Sequence, residues 1–226
     1  MDAAGFAKRF DHPLVKPELT TAQVIEGLAL ARRYEIACAS VRPCDIELAV
    51  RTLAGSSVAP GSVVGFPHGS QNTAVKLYEA RDLLRRGARE LDMVISIPKL
   101  VSREFQHVQA ELSQMAELCH GEGAILKVIL ENAYLTDELK IVACRCCERA
   151  EVDFVKTSTG FAATGYTLED VRLMRRSLPE EIGIKAAAGL RTLDEVLEAM
   201  EAGATRVGTS STAAILDEWK ARQEAA

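Results

Sequence analysis

A (β/α)8 barrel of the α/β class is the fold that this 226-residue chain predicts. Three observations carry it. Short β-branched apolar runs alternate with longer amphipathic segments that open on a hydroxyl residue. Eight such runs can be counted. From Gly65 through Asp92, Lys127 and Lys156 to Lys185, comparable strand positions recur roughly every 27 to 35 residues, the length of one βα unit. Eight units close into a barrel. An open doubly wound sheet shares the periodicity, but no G-x-G-x-x-G or Walker loop follows an early strand.

Taken in order, the strands are expected near residues 9–13, then at 36–41, 62–66, 90–96, 125–131, 152–157, 183–187 and 205–208. Between them the helices have readable ends. Thr20 with Gln23 and Thr192 with Glu195 have the spacing of capping boxes, and Thr167 with Asp170 is the acidic variant. Thr73, Ser102 and Thr136 are expected to cap three further helices. Gly87, Gly121 and Gly203 follow a last apolar turn, where a left-handed residue is wanted.

No Pro, Gly or Ser tract, low-complexity run or block of like charge divides the chain, so a single domain over 1–226 is expected. The formal net charge of -5 gives no electrostatic footprint for nucleic acid or an anionic membrane. The first residues lack the apolar stretch of a signal peptide, and no apolar segment approaches membrane-spanning length. A cytoplasmic protein with six free thiols is the expectation. Cys144, Cys146 and Cys147 formally contain a C-x-x-C, yet they sit in a helical pattern with no second pair and no His at ligand spacing. Helix packing accounts for them. His12, His68, His107 and His120 form no ligand pattern either, so neither a metal nor a cofactor is expected.

Two lysines stand alone in strand-like apolar runs, Lys156 in Val152-Asp153-Phe154-Val155-Lys156-Thr157 and Lys185 in Ile182-Gly183-Ile184-Lys185-Ala186-Ala187. Each is followed by a loop of small, hydroxyl and glycine residues. An ammonium at the end of a buried strand either shifts toward the neutral amine or finds a partner. The neutral amine is a nucleophile toward carbonyls. In a barrel, Asp92, Lys127, Lys156 and Lys185 lie on four successive strands and can converge at the C-terminal mouth.

Seven blocks in order resemble the deoxyribose-phosphate aldolase family. They are Asp11-His12-Pro13-Leu14-Val15-Lys16-Pro17, Val63-Val64-Gly65-Phe66-Pro67-His68-Gly69, Glu90-Leu91-Asp92-Met93-Val94-Ile95 and Leu126-Lys127-Val128-Ile129-Leu130-Glu131, then Asp153-Phe154-Val155-Lys156-Thr157-Ser158-Thr159-Gly160-Phe161, Ile184-Lys185-Ala186-Ala187-Ala188-Gly189-Leu190-Arg191-Thr192 and Arg206-Val207-Gly208-Thr209-Ser210-Ser211. The resemblance implies a class I aldolase. Lys156 would form a Schiff base with the aldehyde, Lys185 would depress its pKa by like-charge repulsion, and Asp92 would act with a bound water in proton transfer. The imine would be an electron sink for cleaving 2-deoxy-D-ribose 5-phosphate, at a bond read here as C3–C4, into glyceraldehyde 3-phosphate and acetaldehyde. Lys127 and Glu131 would line the site, or form a structural ion pair inside the mouth. Asp11 would join the hydrogen-bond network or cap the next turn.

Phosphate is expected at the loops after the seventh and eighth strands. Gly189 and Gly208 would let backbone N–H groups approach an oxyanion, Ser210 and Ser211 would add hydroxyl donors or cap the last helix, and Gly160 and Phe161 would contribute from the sixth loop. A small aldehyde or sugar-phosphate substrate is the expected partner, and the resemblance implies a homodimer. The chain departs from the family pattern at Ala188, where glycine is usual, and at Ser40, Arg42 and Asn132. Arg42 either meets an anionic substrate group or pairs with Asp45 or Glu47 at the surface. The departures keep open a same-chemistry aldolase for another or non-phosphorylated aldehyde. A phosphosugar isomerase and a non-catalytic sugar-phosphate binder are the readings outside that chemistry.

Overall fold

Alternating apolar and polar residues put opposite chemistry on the two faces of each strand, and the computed structural model, which describes residues 1–225, closes those strands into a ring. The strands are β1 (Phe10–Leu14), β2 (Cys38–Val41), β3 (Ala59–Val64), β4 (Glu90–Val94), β5 (Ile125–Ile129), β6 (Phe154–Lys156), β7 (Gly183–Ala187) and β8 (Arg206–Gly208). All pair in parallel, in sequence order, with β8 returning to β1. Strands therefore occur at all eight expected places. Several are shorter than the apolar runs because the chain leaves the ladder for the mouth loops, as at Gly65 and Glu131, which have φ of 62° and 55°.

Register decides which side chains share the interior. Asp92 pairs with Lys127, Lys127 with Phe154, and Lys156, two residues on from Phe154, with Lys185. Lys185 pairs in turn with Arg206, while Asp11 pairs with Cys38 and with Gly208. Residues in register point to one side of a sheet, so these polar groups fill the barrel. The alternate residues, among them Leu91, Met93, Leu126, Val128, Val155, Ile184 and Val207, are buried in the apolar layer formed with the helices. Two inward glycines make room for large interior groups. A Cβ on Gly61 would lie 2.5 Å from Cys38 Sγ, and one on Gly183 would lie 2.3 Å from the Phe154 ring.

The outer layer comprises α2 (Thr21–Arg33), α3 (Ile46–Leu53), α4 (Thr73–Arg85), α5 (Ile97–Val101), α6 (Phe105–Gly121), α7 (Asp137–Arg149), α8 (Leu168–Ser177), α9 (Leu193–Glu201) and α10 (Thr212–Glu224), preceded by α1 (Ala3–Ala7). Both expected capping boxes are present, and Thr136 and Thr167 cap α7 and α8. Three expectations need correction. Asn72, rather than Thr73, caps α4, because its amide oxygen accepts from Val75 N while the Thr73 hydroxyl donates to Glu111. Ser102 ends α5 instead of starting α6. Gly121 is still helical, and Gly123, at φ 66°, takes the left-handed turn.

Phe6 of α1 stacks on Trp219 of α10 at 4.3 Å and meets Phe10 edge-on at 5.1 Å, which joins the two ends of the chain. The cysteines of α7 are buried, and none of the six cysteines is in a disulfide. Among the described residues, no helix is long and apolar enough to cross a membrane.

Charge is also buried between helices. Lys76 of α4 is fully buried, and its ammonium donates to Glu111 of α6 at 2.8 Å and to the Val94 carbonyl at 2.9 Å. Removing one partner of such a pair leaves an uncompensated charge, whereas removing both does not. Glu111→Leu is expected to cost about 3 to 5 kcal/mol in urea denaturation, and Lys76→Met with Glu111→Leu is expected to recover most of that loss.

Candidate active site

The barrel interior is a ladder of ion pairs. At its floor, the Arg206 guanidinium lies 5.0 Å over the Phe154 ring and donates to Asp11 Oδ1 at 2.7 Å and Glu90 Oε2 at 3.4 Å. Above it, the Lys127 ammonium contacts Glu90 at 2.6 Å and both Asp11 and Asp92 at 2.9 Å. Lys185 bridges the same two aspartates, bonding Asp11 Oδ2 and, at 2.8 Å, Asp92 Oδ2. Among the described residues, Lys156 has a single carboxylate partner, Asp92 Oδ2 at 2.8 Å. Asp92 thus touches three ammonium groups.

Burial alone would raise the Asp92 pKa, but Lys127, Lys156 and Lys185 overcome it and hold the carboxyl well below the usual range. Asp11 follows the same logic, with burial opposed by Lys127, Lys185 and Arg206. Lys127 is pushed well above an ordinary lysine, since its carboxylate neighbours outweigh its burial. Lys156 goes the other way. Burial lowers it most, Asp92 resists, and Lys185 lowers it further, to about 8. The repulsion from Lys185 is therefore second to desolvation as a cause. At pH 7 roughly one Lys156 in ten is the free amine, against about one in 3000 for an ordinary lysine.

Over Lys156 and Lys185 opens a cavity of about 680 Å3. Asp11, Pro13, Ser40 and Val63 line it from the barrel, and Thr159, Gly160 and Phe161 from the β6 loop. Ala188 and Gly189 follow from the β7 loop, and Gly208, Thr209 and Ser210 from the β8 end. Phe161 crosses the mouth to meet Phe66 edge-on at 5.2 Å. Ser211 lies behind this lining. Its N–H donates to Thr209 Oγ1 at 3.0 Å, and its own side chain makes no cap bond to α10.

Two expectations about the lining change. Lys127 and Glu131 are buried and do not line the cavity. Lys127 is spent beneath Asp92, and Glu131 braces the β6 loop by accepting from the Thr159 hydroxyl and from Thr159 N at 3.2 Å. Asp92 is also fully buried, so it contacts the two cavity lysines and not the open space. Asp11 caps no turn; it sits inside β1 at the centre of the ion-pair ladder.

The departures from the family pattern separate in the same way. Arg42 pairs with Asp45 at 2.6 Å and donates to the Leu19 carbonyl at 2.9 Å, so it takes the ion-pair reading and does not line the cavity. Glu47 pairs with Arg86. Asn132 is buried, with its N–H on the Thr157 carbonyl at 3.0 Å. Ser40 and Ala188 do line the cavity. Ala188 adopts φ 68°, a left-handed backbone that costs an L side chain about 1 kcal/mol, and the Tyr166 N–H at 3.0 Å fixes its carbonyl.

Four contributors lay outside the sequence-based expectations. Glu90 and Arg206 occupy the floor, and Lys16 and Arg191 bring cationic side chains to the cavity rim. The rim pair flanks the Lys16-Pro17 and Arg191-Thr192 loop starts, where an exposed cation reads like any surface charge. Asp11, Cys38 and Glu90 have the donor atoms and spacing of a small metal site. Lys127 and Arg206 already neutralise its carboxylates, so the group does not fit a resident cation.

Against known proteins, a family model described as DeoC/LacD family aldolase matches residues 2–218. A Bacteroides thetaiotaomicron protein named deoxyribose-phosphate aldolase is 44% identical over 215 residues, covering 95% of this chain and 90% of its own. The crystal structure of a putative deoxyribose-phosphate aldolase from Coccidioides immitis superposes with a TM-score of 0.91 at 35% identity, over 97% of this chain and 87% of that one. A deoxyribose phosphate aldolase from Aeropyrum pernix, described as having a unique tetrameric structure, follows at 0.86 and 33%, over 97% and 92%.

Holding Lys156 near pKa 8 makes the unfolded chain bind more protons than the folded one between roughly pH 8 and 10.5. The resulting destabilisation is present in full below pH 8 and fades as pH rises through that window. Lys156→Met is expected to stabilise the protein at pH 7 by roughly 1 to 3 kcal/mol. Urea denaturation should show the gain shrinking toward pH 10.

Proposed function

The chain belongs to the DeoC/LacD family of aldolases, and from that premise we propose that it cleaves 2-deoxy-D-ribose 5-phosphate reversibly to D-glyceraldehyde 3-phosphate and acetaldehyde through an imine on Lys156. The observation that carries the reading is Lys156 itself, a buried amine at the cavity floor with a lowered pKa and only one carboxylate partner.

The free amine adds to the C1 aldehyde, and the carbinolamine takes up one proton and loses water to give a protonated imine. Carbon count then corrects the scissile bond. Acetaldehyde carries C1 and C2, and glyceraldehyde 3-phosphate carries C3 to C5, so the bond that breaks is C2–C3 and not C3–C4. As the C3 hydroxyl loses its proton, the C2–C3 electron pair moves toward the imine and leaves an enamine. Protonation at C2 and hydrolysis release acetaldehyde and restore Lys156.

Lys185, which faces the same cavity, is the group placed to exchange protons with the substrate, directly or through a bound water. Asp92, fully buried and bonded to Lys156 and Lys185, takes its part in proton transfer through these lysines and a bound water and not by touching the substrate. It positions both lysines and balances the imine's positive charge. The phosphate end is assigned to the opposite rim. There Gly189 and Gly208 expose backbone, Ser210 offers a hydroxyl, α10 presents its N-terminus, and Lys16 and Arg191 supply charge. Gly160 and Phe161 close the side between the two ends.

A single catalytic domain in the cytoplasm, acting as a homo-oligomer, completes the proposal. Its supports are the closed ring of eight strands, the six free thiols and the tetramer of the Aeropyrum pernix relative. Among the departures, only Ser40 and Ala188 bear on substrate choice, and neither removes a donor from the phosphate end.

Borohydride reduction in the presence of acetaldehyde is expected to leave an ethyl group on Lys156 alone, read by peptide mass mapping. Lys156→Ala is expected to lower kcat by roughly 10^4-fold or more while the far-ultraviolet spectrum is unchanged. An ethyl adduct on another lysine, or a variant with full turnover, would defeat the assignment. The kcat/KM ratio of the 5-phosphate to free deoxyribose checks the anion end, and a ratio near one would remove the phosphate from the proposal.

A further inference from the structure

The interior ladder is not charge-balanced. Lys127, Lys156, Lys185 and Arg206 bring four cations to three carboxylates, Asp11, Glu90 and Asp92. One cation is in surplus. Carboxylate contacts decide which: Lys127 touches three of these acids, Lys185 and Arg206 touch two each, and Lys156 touches one. A low-dielectric interior makes each unbalanced charge costly, so the proton is given up most readily at the least-paired cation.

We infer that Arg206 and Glu90, on the barrel floor and out of reach of substrate, are positioning residues that determine which interior lysine becomes the free amine. The inference rests on the reading of Lys156 as the nucleophile. Arg206 saturates Asp11 Oδ1 and part of Glu90, while Lys127 takes the rest of Glu90. With the floor satisfied, Asp11 and Asp92 are left to be shared by Lys127 and Lys185, and no second acid is available to Lys156. Without the Arg206 charge, three carboxylates would face three lysines. Lys156 would then be retained as an ammonium.

The charged surroundings of Lys156 are accounted for strand by strand. β1 supplies Asp11, β4 supplies Glu90 and Asp92, β5 Lys127, β7 Lys185 and β8 Arg206. His12 of β1 is turned to Thr212, and burial lowers its pKa. Cys38 of β2 is a buried thiol, and burial raises its pKa well above the ordinary value, so it adds no charge. Ser40 of β2 and Val63 of β3 are uncharged. Glu131, beyond β5, is engaged by Thr159, and Lys16, Glu26 and Arg191 stand at the rim. The lowered pKa of Lys156 agrees with the charge count.

The test is the acidic limb of the pH profile, in kcat/KM for 2-deoxyribose 5-phosphate and in borohydride trapping with acetaldehyde. Arg206→Gln, which keeps a donor for Asp11 but removes the charge, is expected to move the limb up by about one pH unit or more. Activity at pH 7 would fall roughly tenfold while the high-pH plateau holds. Arg206→Lys should restore the limb. So should Glu90→Gln combined with Arg206→Gln, because three cations against two carboxylates again leave one in surplus. Cys38→Asp, which adds a floor carboxylate and removes no ion pair, should raise the limb as Arg206→Gln does, and it carries the test if Arg206→Gln does not fold. A limb that stays in place in folded, Lys156-trapped variants would overturn the inference and leave Arg206 a structural ion pair. No Lys156 adduct in the wild-type protein at any pH would instead overturn the nucleophile reading, and this inference with it.

Discussion

Asp92 lies among the ammonium groups of Lys127, Lys156 and Lys185, and the barrel is organised around that contact. A carboxylate buried in this way is tolerable only if cations reach it from several strands at once. The parallel register supplies them, because Asp92, Lys127, Lys156 and Lys185 fall on the same side of neighbouring strands. Stability then comes from elsewhere. The apolar residues on the outer face of each strand pack against the helices, so the fold keeps its hydrophobic layer outside the ring and its electrostatics within.

Reactivity and recognition are divided along the barrel axis. The floor holds ionisation states by ion pairing, and the mouth holds shape through loops tied to one another. Glu131 anchors the β6 loop at Thr159, Tyr166 anchors that loop to Ala188, and Arg42 ties the end of β2 to the Leu19 carbonyl. Phe66 and Phe161 join the β3 and β6 loops across the opening. On the proposed reading, substrate preference can therefore be altered in the loops while the lysine's reactivity is set below them.

Much of this was legible in the sequence, and the exceptions have physical reasons. Lys156 and Lys185 stood out because a lone lysine in an apolar strand has no ordinary explanation, and the spacing from Asp92 placed them on one barrel face. Arg206 and Glu90 did not stand out. Each opens its strand, where a charged residue reads as the exposed end of an element, and only closure of the ring puts both inside. Lys127 was recognised, but its depth was not, since depth depends on which strands carry acids at the same level. Helix ends misread by a residue or two, as at Asn72 and Gly123, reflect neighbouring polar or glycine residues that compete for one role. Arg42 had two readings that differ only in where a long side chain points, and the nearby Asp45 decided between them.

Asp11 and Arg206 are 195 residues apart, and their ion pair joins the first strand to the last. A chain emerging from the ribosome has Lys156 long before it has β8. Until that strand docks, Asp11 lacks the guanidinium that occupies it, and the interior lacks its fourth cation. On the proposed reading, the reactive amine is thus a property of the closed ring and not of the strand that carries it.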